Sequence, residues 1–240
     1  MNIFQSIKAP SPLSIKNVVI LLVTYFLGYL FLFPFLILMI DKLIPGFGTW
    51  IYTDVIFHTV MTLVFLFLGS KLLQESNKNW SLKSIYTPII AAMVMLWGSI
   101  FFSLIIETLS GQTDSLNQSM LVELFKDNRL AIMVQAMIFA PVVEEIIFRG
   151  VIYRHFKKAG RYLIPLIVST LMFASLHSLN AIFLKQWADL WFIPMYGFMS
   201  LVLTYTYEKT QNLYSSILLH FINNTISILA MMVTISNTIN

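Results

Sequence analysis

The sequence has 240 residues, of which 58% are hydrophobic and 11% charged, with a mean hydropathy of +0.80 and a net charge of +4. Soluble domains are about 45–50% apolar and about 25% charged, so a soluble globular protein is excluded. There is no cysteine, which removes disulfides, thiolate nucleophiles and cysteine-based zinc sites.

Charge-poor apolar runs long enough to cross a bilayer follow one another along the chain. They do not alternate as β-barrel strands do. The expected fold is therefore an all-α polytopic membrane helical bundle with a buried polar active site. Seven transmembrane helices are read at 15–40, 50–73, 87–109, 130–154, 162–180, 187–206 and 212–236, or eight if one segment is broken or re-entrant. The first run is too long for a signal-peptide core and lacks a small-residue cleavage site, so it reads as a retained span. Short loops such as "LIPGFGTW", "QESNKNWSLKS" and "SGQTDSLNQS" separate the spans. The chain reads as one membrane domain, 1–240, with spans one to three in 1–125 and a motif-bearing core at 126–236.

Basic residues alternate between sides. Lys8, Lys16, Lys71, Lys78, Lys83, Arg154, Lys157, Lys158, Arg161 and Lys209 fall on one side, against Lys42, Lys126, Arg129 and Lys185 on the other. Ten against four puts the N-terminus in the cytoplasm and the C-terminus outside. Trp50, Trp80, Trp187 and Trp191 fit an interfacial aromatic belt. Trp97 reads as mid-span packing, His58 and His155 as interfacial, and Asp54 and Glu107 as solvated near span ends. The positive charge requires no nucleic-acid partner, because topology accounts for it.

The fourth span contains "FAPVVEEIIFRGVIY", with Glu144, Glu145 and Arg149 in an apolar run. Each such group costs about 2.5–3.5 kcal/mol at mid-membrane on insertion scales, so it must face the bundle interior. Glu145 and Arg149, at i and i+4, share a helix face and can pair. Glu144, rotated by about 100°, is then left for chemistry. Pro141 removes a backbone donor one turn earlier, which predicts a kink and a wet pocket.

Two further polar positions lie in later spans, His177 in "FASLHSLN" and His220 with Asn224 in "LLHFINNT". At about 1.5 Å per residue from the basic loops, Glu144 lies roughly 20 Å deep, His177 roughly 24 Å, His220 roughly 12 Å and Asn224 roughly 18 Å. They form one layer about 12 Å thick, and helices about 8–10 Å apart let them converge. A Glu beside an imidazole can hold a water and act as general base. A second His and an Asn on one helical face can donate to a developing oxyanion. A Glu with two His can also bind zinc. Taken singly, the charged triplet reads as a structural ion-pair cluster and each His motif as interhelical polar glue. Asn180 either orients His177 or caps its helix.

The three motifs in order, Glu-Glu-x-x-x-Arg (Glu144, Glu145, Arg149), Phe-x-x-x-His (Phe173, His177) and His-x-x-x-Asn (His220, Asn224), resemble the CPBP family. These are the type II CAAX prenyl proteases and the bacteriocin-processing and immunity proteins. The resemblance covers about residues 130 to 230 and implies an intramembrane endopeptidase. It implies that Glu144 and His177 activate the attacking water, that Glu145 and Arg149 support them, and that His220 and Asn224 form the oxyanion site. Metal-free chemistry without a cofactor is the reading taken, with zinc held by Glu144, His177 and His220 as the alternative. Implied partners are the lipid bilayer and a peptide or membrane-protein substrate, cleaved near the cytoplasmic leaflet.

Abundant Lys, Asn and Ile suggest an AT-rich genome and a bacterial cell membrane, which sets aside prenylated CAAX substrates in favour of bacteriocin or signalling-peptide precursors. Two other classes compete with a peptidase. A non-proteolytic immunity or scaffold protein would tolerate loss of Glu144 and His177, and a small transporter would show repeated halves or several Gly/Pro-broken spans.

Overall fold

The structure, a computed structural model, describes residues 11–47, 51–157 and 161–239. Lys8, Trp50 and Lys158 lie outside the described residues. The described chain is helical throughout. In chain order it forms α1 (Ile15–Leu43), α2 (Ile51–Leu68), α3 (Ser70–Lys78), α4 (Lys83–Ser110), α5 (Leu116–Asp127), α6 (Arg129–Phe156), α7 (Leu163–His177), α8 (Leu179–Phe183), α9 (Ile193–Thr210) and α10 (Leu213–Ile239). A 3₁₀ segment, Trp187–Phe192, leads into α9.

Four helices (α1, α4, α6 and the Leu213–Ser236 part of α10) are long and apolar enough to cross a bilayer. The chain is an integral membrane protein. The second predicted span is a bent pair, turning by 65° at Gly69 between Thr53–Leu68 and Ser70–Lys78. The fifth is only 15 residues, roughly 22 Å at 1.5 Å per residue, which falls short of a bilayer core of about 30 Å. The sixth, α9, is too polar to pass as a span on composition. Ser200, Thr204, Thr206 and Glu208 are all buried in it, so its polar groups face protein and not lipid.

The "SGQTDSLNQS" region is more than a loop. Ser115 accepts from the backbone N–H of Gln118 at 3.1 Å and so caps α5, which packs Leu121 and Phe125 against Ile228, Met231 and Ile235 of α10. An N-cap Ser followed by apolar residues at i+6 and i+10 was the signal for it.

Helix α6 is the central element. Every residue from Glu145 to Tyr153 is buried, which a surface helix with one apolar stripe cannot achieve. It packs against α1, α2, α7 and α10. Gly150 lets α3 approach, since a Cβ there would meet Leu72 Cδ1 at 2.6 Å. α6 continues unbroken through Pro141 and widens to i→i+5 hydrogen bonding over Val134–Phe139 and again over Ile146–Tyr153. The first wide turn comes directly before Pro141, where the backbone donor is missing. Such widened turns recur at functional sites. Here they bracket Glu144 and Glu145.

The outer surface is apolar, with Phe67, Ile164 and Leu171 well exposed. Trp97 is 65% exposed and belongs to this surface, not to the packing of the bundle as the sequence suggested. His58 departs from its reading in the other direction. At 7% exposure it is buried in an aromatic cage with Tyr29, Phe57 and Phe139, and its Nδ1 lies 2.8 Å from the Asp54 carbonyl. Asp54 is half-buried, whereas Glu107 is exposed as expected. His155 closes the last turn of α6 and is half-buried.

Candidate active site

Glu145 and Arg149 form an ion pair, Nη1 to Oε1 at 2.8 Å, with neither side chain exposed. Most of the remaining hydrogen-bonding capacity of these two buried charges is also met, Arg149 Nε being the exception. Arg149 Nη2 donates to the carbonyl and the hydroxyl of Ser200, at 3.1 and 3.0 Å. Its guanidinium covers the Phe173 ring, 4.7 Å from the centroid. Glu145 Oε1 also takes His220 Nδ1 at 3.0 Å, and Oε2 accepts from the Ser216 hydroxyl. The pair therefore ties α6, α9 and α10 together.

These contacts settle which nitrogen each imidazole presents. A carboxylate paired with Arg149 only accepts, so His220 Nδ1 carries a hydrogen and Nε2 is left over. His177 Nδ1 lies 2.9 Å from the Phe173 carbonyl, which also only accepts. In the neutral ring the lone pair is then on His177 Nε2. The Phe-x-x-x-His spacing thus has a local cause, because the residue four before the helix end supplies the acceptor. The Phe173 ring lies 4.5 Å from the His177 ring and 5.9 Å from the His220 ring, a hub for both. Tyr196 stacks on the other imidazole contact of His177, at 4.5 Å. Asn180 is exposed and makes no hydrogen bond to His177.

Glu144, His177, His220 and Asn224 all line one cavity of about 400 Å³. Glu144 Oε2 is buried and has no hydrogen-bond partner in the protein. That contrasts with Glu145, whose two oxygens are both engaged. Asn224 Nδ2 donates to the Ala136 carbonyl at 2.7 Å, which fixes the carboxamide against the first wide turn of α6 and leaves its second N–H. The four residues thus share one space. Glu145 and Arg149 lie behind it.

The cavity occupies one end of the bundle. It is lined by Ser103 near the end of α4, Gln135 near the start of α6, His177 at the end of α7, Tyr196 near the start of α9 and Ser227 in the second half of α10. It reaches the segment Thr113–Gln118. All of these chain positions lie away from the basic loops around Lys71–Lys83, Arg154–Arg161 and Lys209. The sequence reading had cleavage near the basic face, whereas the cavity runs from residues such as Glu144, Leu203 and His220 towards the opposite end of the bundle.

Among the described residues no three His, Asp or Glu side chains are grouped so as to hold a metal ion. His220 Nδ1 is taken by Glu145 and His177 Nδ1 by a carbonyl. Both Nε2 atoms are left over, as in metal-bound imidazoles, but no third His, Asp or Glu is grouped with them among the described residues.

Several contributors escaped the sequence reading: Ser216, Ser200, Tyr196 and the ring of Phe173. Ser216 stands four residues before His220, and Tyr196, Ser200 and Thr204 make a polar stripe at spacing four in an otherwise apolar span. That periodicity was their signal.

Residues 126–226 match the sequence model of a family described as Type II CAAX prenyl endopeptidase Rce1-like. The matched part contains all three motifs and the whole of the buried ion-pair cluster. Neither the curated proteins nor the solved structures compared with the chain gave a match.

Proposed function

We propose that the protein is an intramembrane endopeptidase that hydrolyses a peptide or membrane-protein substrate with a water activated by Glu144 and His177. The observation that carries this reading is the contrast within one Glu-Glu pair. Glu145 is saturated by Arg149, His220 and Ser216, while Glu144, which lines the same cavity as His177, has a buried oxygen with no protein partner.

In this reaction the water gives a proton to Glu144 or to His177 Nε2 as its oxygen bonds to the substrate carbonyl carbon. Negative charge moves to the carbonyl oxygen. The Asn224 amide stabilises it, together with His220 when its Nε2 also carries a hydrogen. The C–N bond then breaks, the stored proton passes to the leaving amine, and the products are a carboxylate and an amine. Arg149 and Glu145 are positioning residues. They hold His220 and hold Phe173, and through Phe173 they hold His177.

The reading requires no metal or other cofactor. Its substrates are bacteriocin or signalling-peptide precursors, or a regulatory membrane protein, within the bacterial cell membrane. Glu144→Ala, Glu144→Gln and His177→Ala, expressed in the native host, should each reproduce the phenotype of gene deletion at normal protein levels. Full function in all three alleles would contradict the peptidase and point to a scaffold.

A further inference from the structure

His58 and Tyr29 lie outside the part of the chain that the family model matches, yet their hydrogen bonds lead to the cavity. His58 Nδ1 is 2.8 Å from the Asp54 carbonyl, which only accepts, so Nδ1 carries the hydrogen. In the neutral ring Nε2 then accepts, and the Tyr29 hydroxyl, 3.4 Å away, donates to it. The Tyr29 oxygen keeps its lone pairs for a second partner, the side chain of Gln135. With the phenolic hydrogen committed to His58, Gln135 gives an N–H to Tyr29 and turns its Oε1 away from it. Phe139, one turn along α6 from Gln135, packs its ring 4.6 Å from Tyr29 and 5.0 Å from His58 and so holds both rings in place.

Gln135 lines the cavity that Glu144 and His177 also line. Its backbone carbonyl is taken by the Ala140 N–H across the wide turn, so its side chain is what it offers there. A peptide unwound inside a bilayer has N–H groups without partners, which is tolerable only where protein or water satisfies them. A carboxamide oxygen whose orientation is already fixed suits one of them. Gln135 and Glu144 are nine positions apart on α6, roughly 13 Å at 1.5 Å per residue. An extended chain covers that distance in about four residues.

We propose that Gln135 binds the peptide backbone, its Oε1 accepting an N–H about four residues from the bond attacked at Glu144, and that Tyr29 and His58 are positioning residues that set this orientation. The binding claim rests on a peptide entering this cavity, as the peptidase reading has it; the orientation of Gln135 does not.

The test gives full-length protein in vesicles quenched-fluorescent Leu/Ala/Gly transmembrane peptides in which one amide at a time is replaced by an ester. Each ester removes a single N–H. In the wild type, one ester about four residues from the cut bond should raise KM about threefold to tenfold with kcat little changed. Gln135→Leu should raise KM for the all-amide peptide by the same factor and be blind to that ester. Tyr29→Phe, which keeps the ring on Phe139, should raise KM in the same sense. So should His58→Phe, which frees the Tyr29 hydroxyl to donate to Gln135 Oε1 and turn the carboxamide round. Added to Gln135→Leu, neither should have a further effect, whereas a merely structural role would add to it.

Equal losses in wild type and Gln135→Leu at every ester position overturn the binding claim, and additive double variants overturn the positioning claim. If the wild type cuts no peptide, the peptidase reading fails by itself. The same ester series, scored by binding of a dye-labelled peptide to the vesicle-embedded protein, then decides the role of Gln135. Binding that is absent, or indifferent to every ester, overturns it.

Discussion

His220 Nδ1 lies 3.0 Å from Glu145 Oε1, joining residues 75 positions apart across two helices. The same oxygen accepts from Arg149 at 2.8 Å, so one buried carboxylate serves both an ion pair and the orientation of an imidazole. Glu145 is thus more than the charge partner of Arg149, and disturbing either neighbour should be felt at the other.

Arg149→Met leaves a buried carboxylate without its cation and should destabilise the protein by about 3–5 kcal/mol. Glu145→Leu combined with Arg149→Met should recover a large part of that loss, because neither charge is then stranded. Unfolding midpoints in detergent, titrated with sodium dodecyl sulfate, would check both. A double variant as unstable as the single one would show that the helices need the pair itself.

Two serines around this pair should differ in weight. Ser216→Ala leaves Glu145 Oε2 unsatisfied and should cost about 1–3 kcal/mol. Ser200→Ala should cost less, because the Ser200 backbone carbonyl still accepts from Arg149 Nη2. The same titration ranks the two variants.

Gly98 is where α4 meets α9, and a Cβ there would lie 2.1 Å from Phe198 Cε1. Gly98→Ala should therefore destabilise by about 1–3 kcal/mol through overpacking. Gly98→Ala with Phe198→Leu should regain most of it, since the ring is what the new methyl strikes. Thermal denaturation followed by size-exclusion chromatography would report the pair.

Tyr196 touches His177 with its ring and Ser115 with its hydroxyl, at 2.7 Å. Tyr196→Phe keeps the stack, whereas Tyr196→Leu removes it. If the stack holds the imidazole plane, the leucine variant should lose roughly tenfold to a hundredfold in kcat with KM little changed, and the phenylalanine variant far less. Equal losses in both would assign the effect to the Ser115 bond.

Much of the site was legible because ionisable groups in apolar runs have few places to go. The i,i+4 spacing of Glu145 and Arg149 was enough to pair them, and counting residues from the basic loops put Glu144 and His177 deeper than mid-bilayer. The partners of these groups were less visible. Ser216, Ser200 and Tyr196 are ordinary residues singly, and only the packing of three helices around α6 turns them into a network. The wide turns beside Pro141 were hidden for a related reason. A proline signals a lost donor, but whether the helix kinks or widens depends on how tightly its neighbours clamp it. The 65° bend at Gly69 was likewise invisible in a run whose hydropathy continues past it. The polar character of α9 reflects its burial, so counting spans by hydropathy alone underestimates it.

Chelation should leave the enzyme untouched. Purified protein incubated with excess EDTA or 1,10-phenanthroline should cleave its substrate at the untreated rate, and loss of activity restored by added zinc would contradict the metal-free chemistry.

The most direct measurement is cleavage by wild-type and Glu144→Gln proteins reconstituted side by side in vesicles with a candidate membrane-peptide substrate, with unfolding midpoints recorded on the same samples. The account predicts that Glu144→Gln unfolds at the wild-type midpoint, since its buried oxygen has no protein partner to lose. It also predicts that the variant's cleavage falls by at least about three orders of magnitude. Wild-type turnover in the glutamine variant would contradict it.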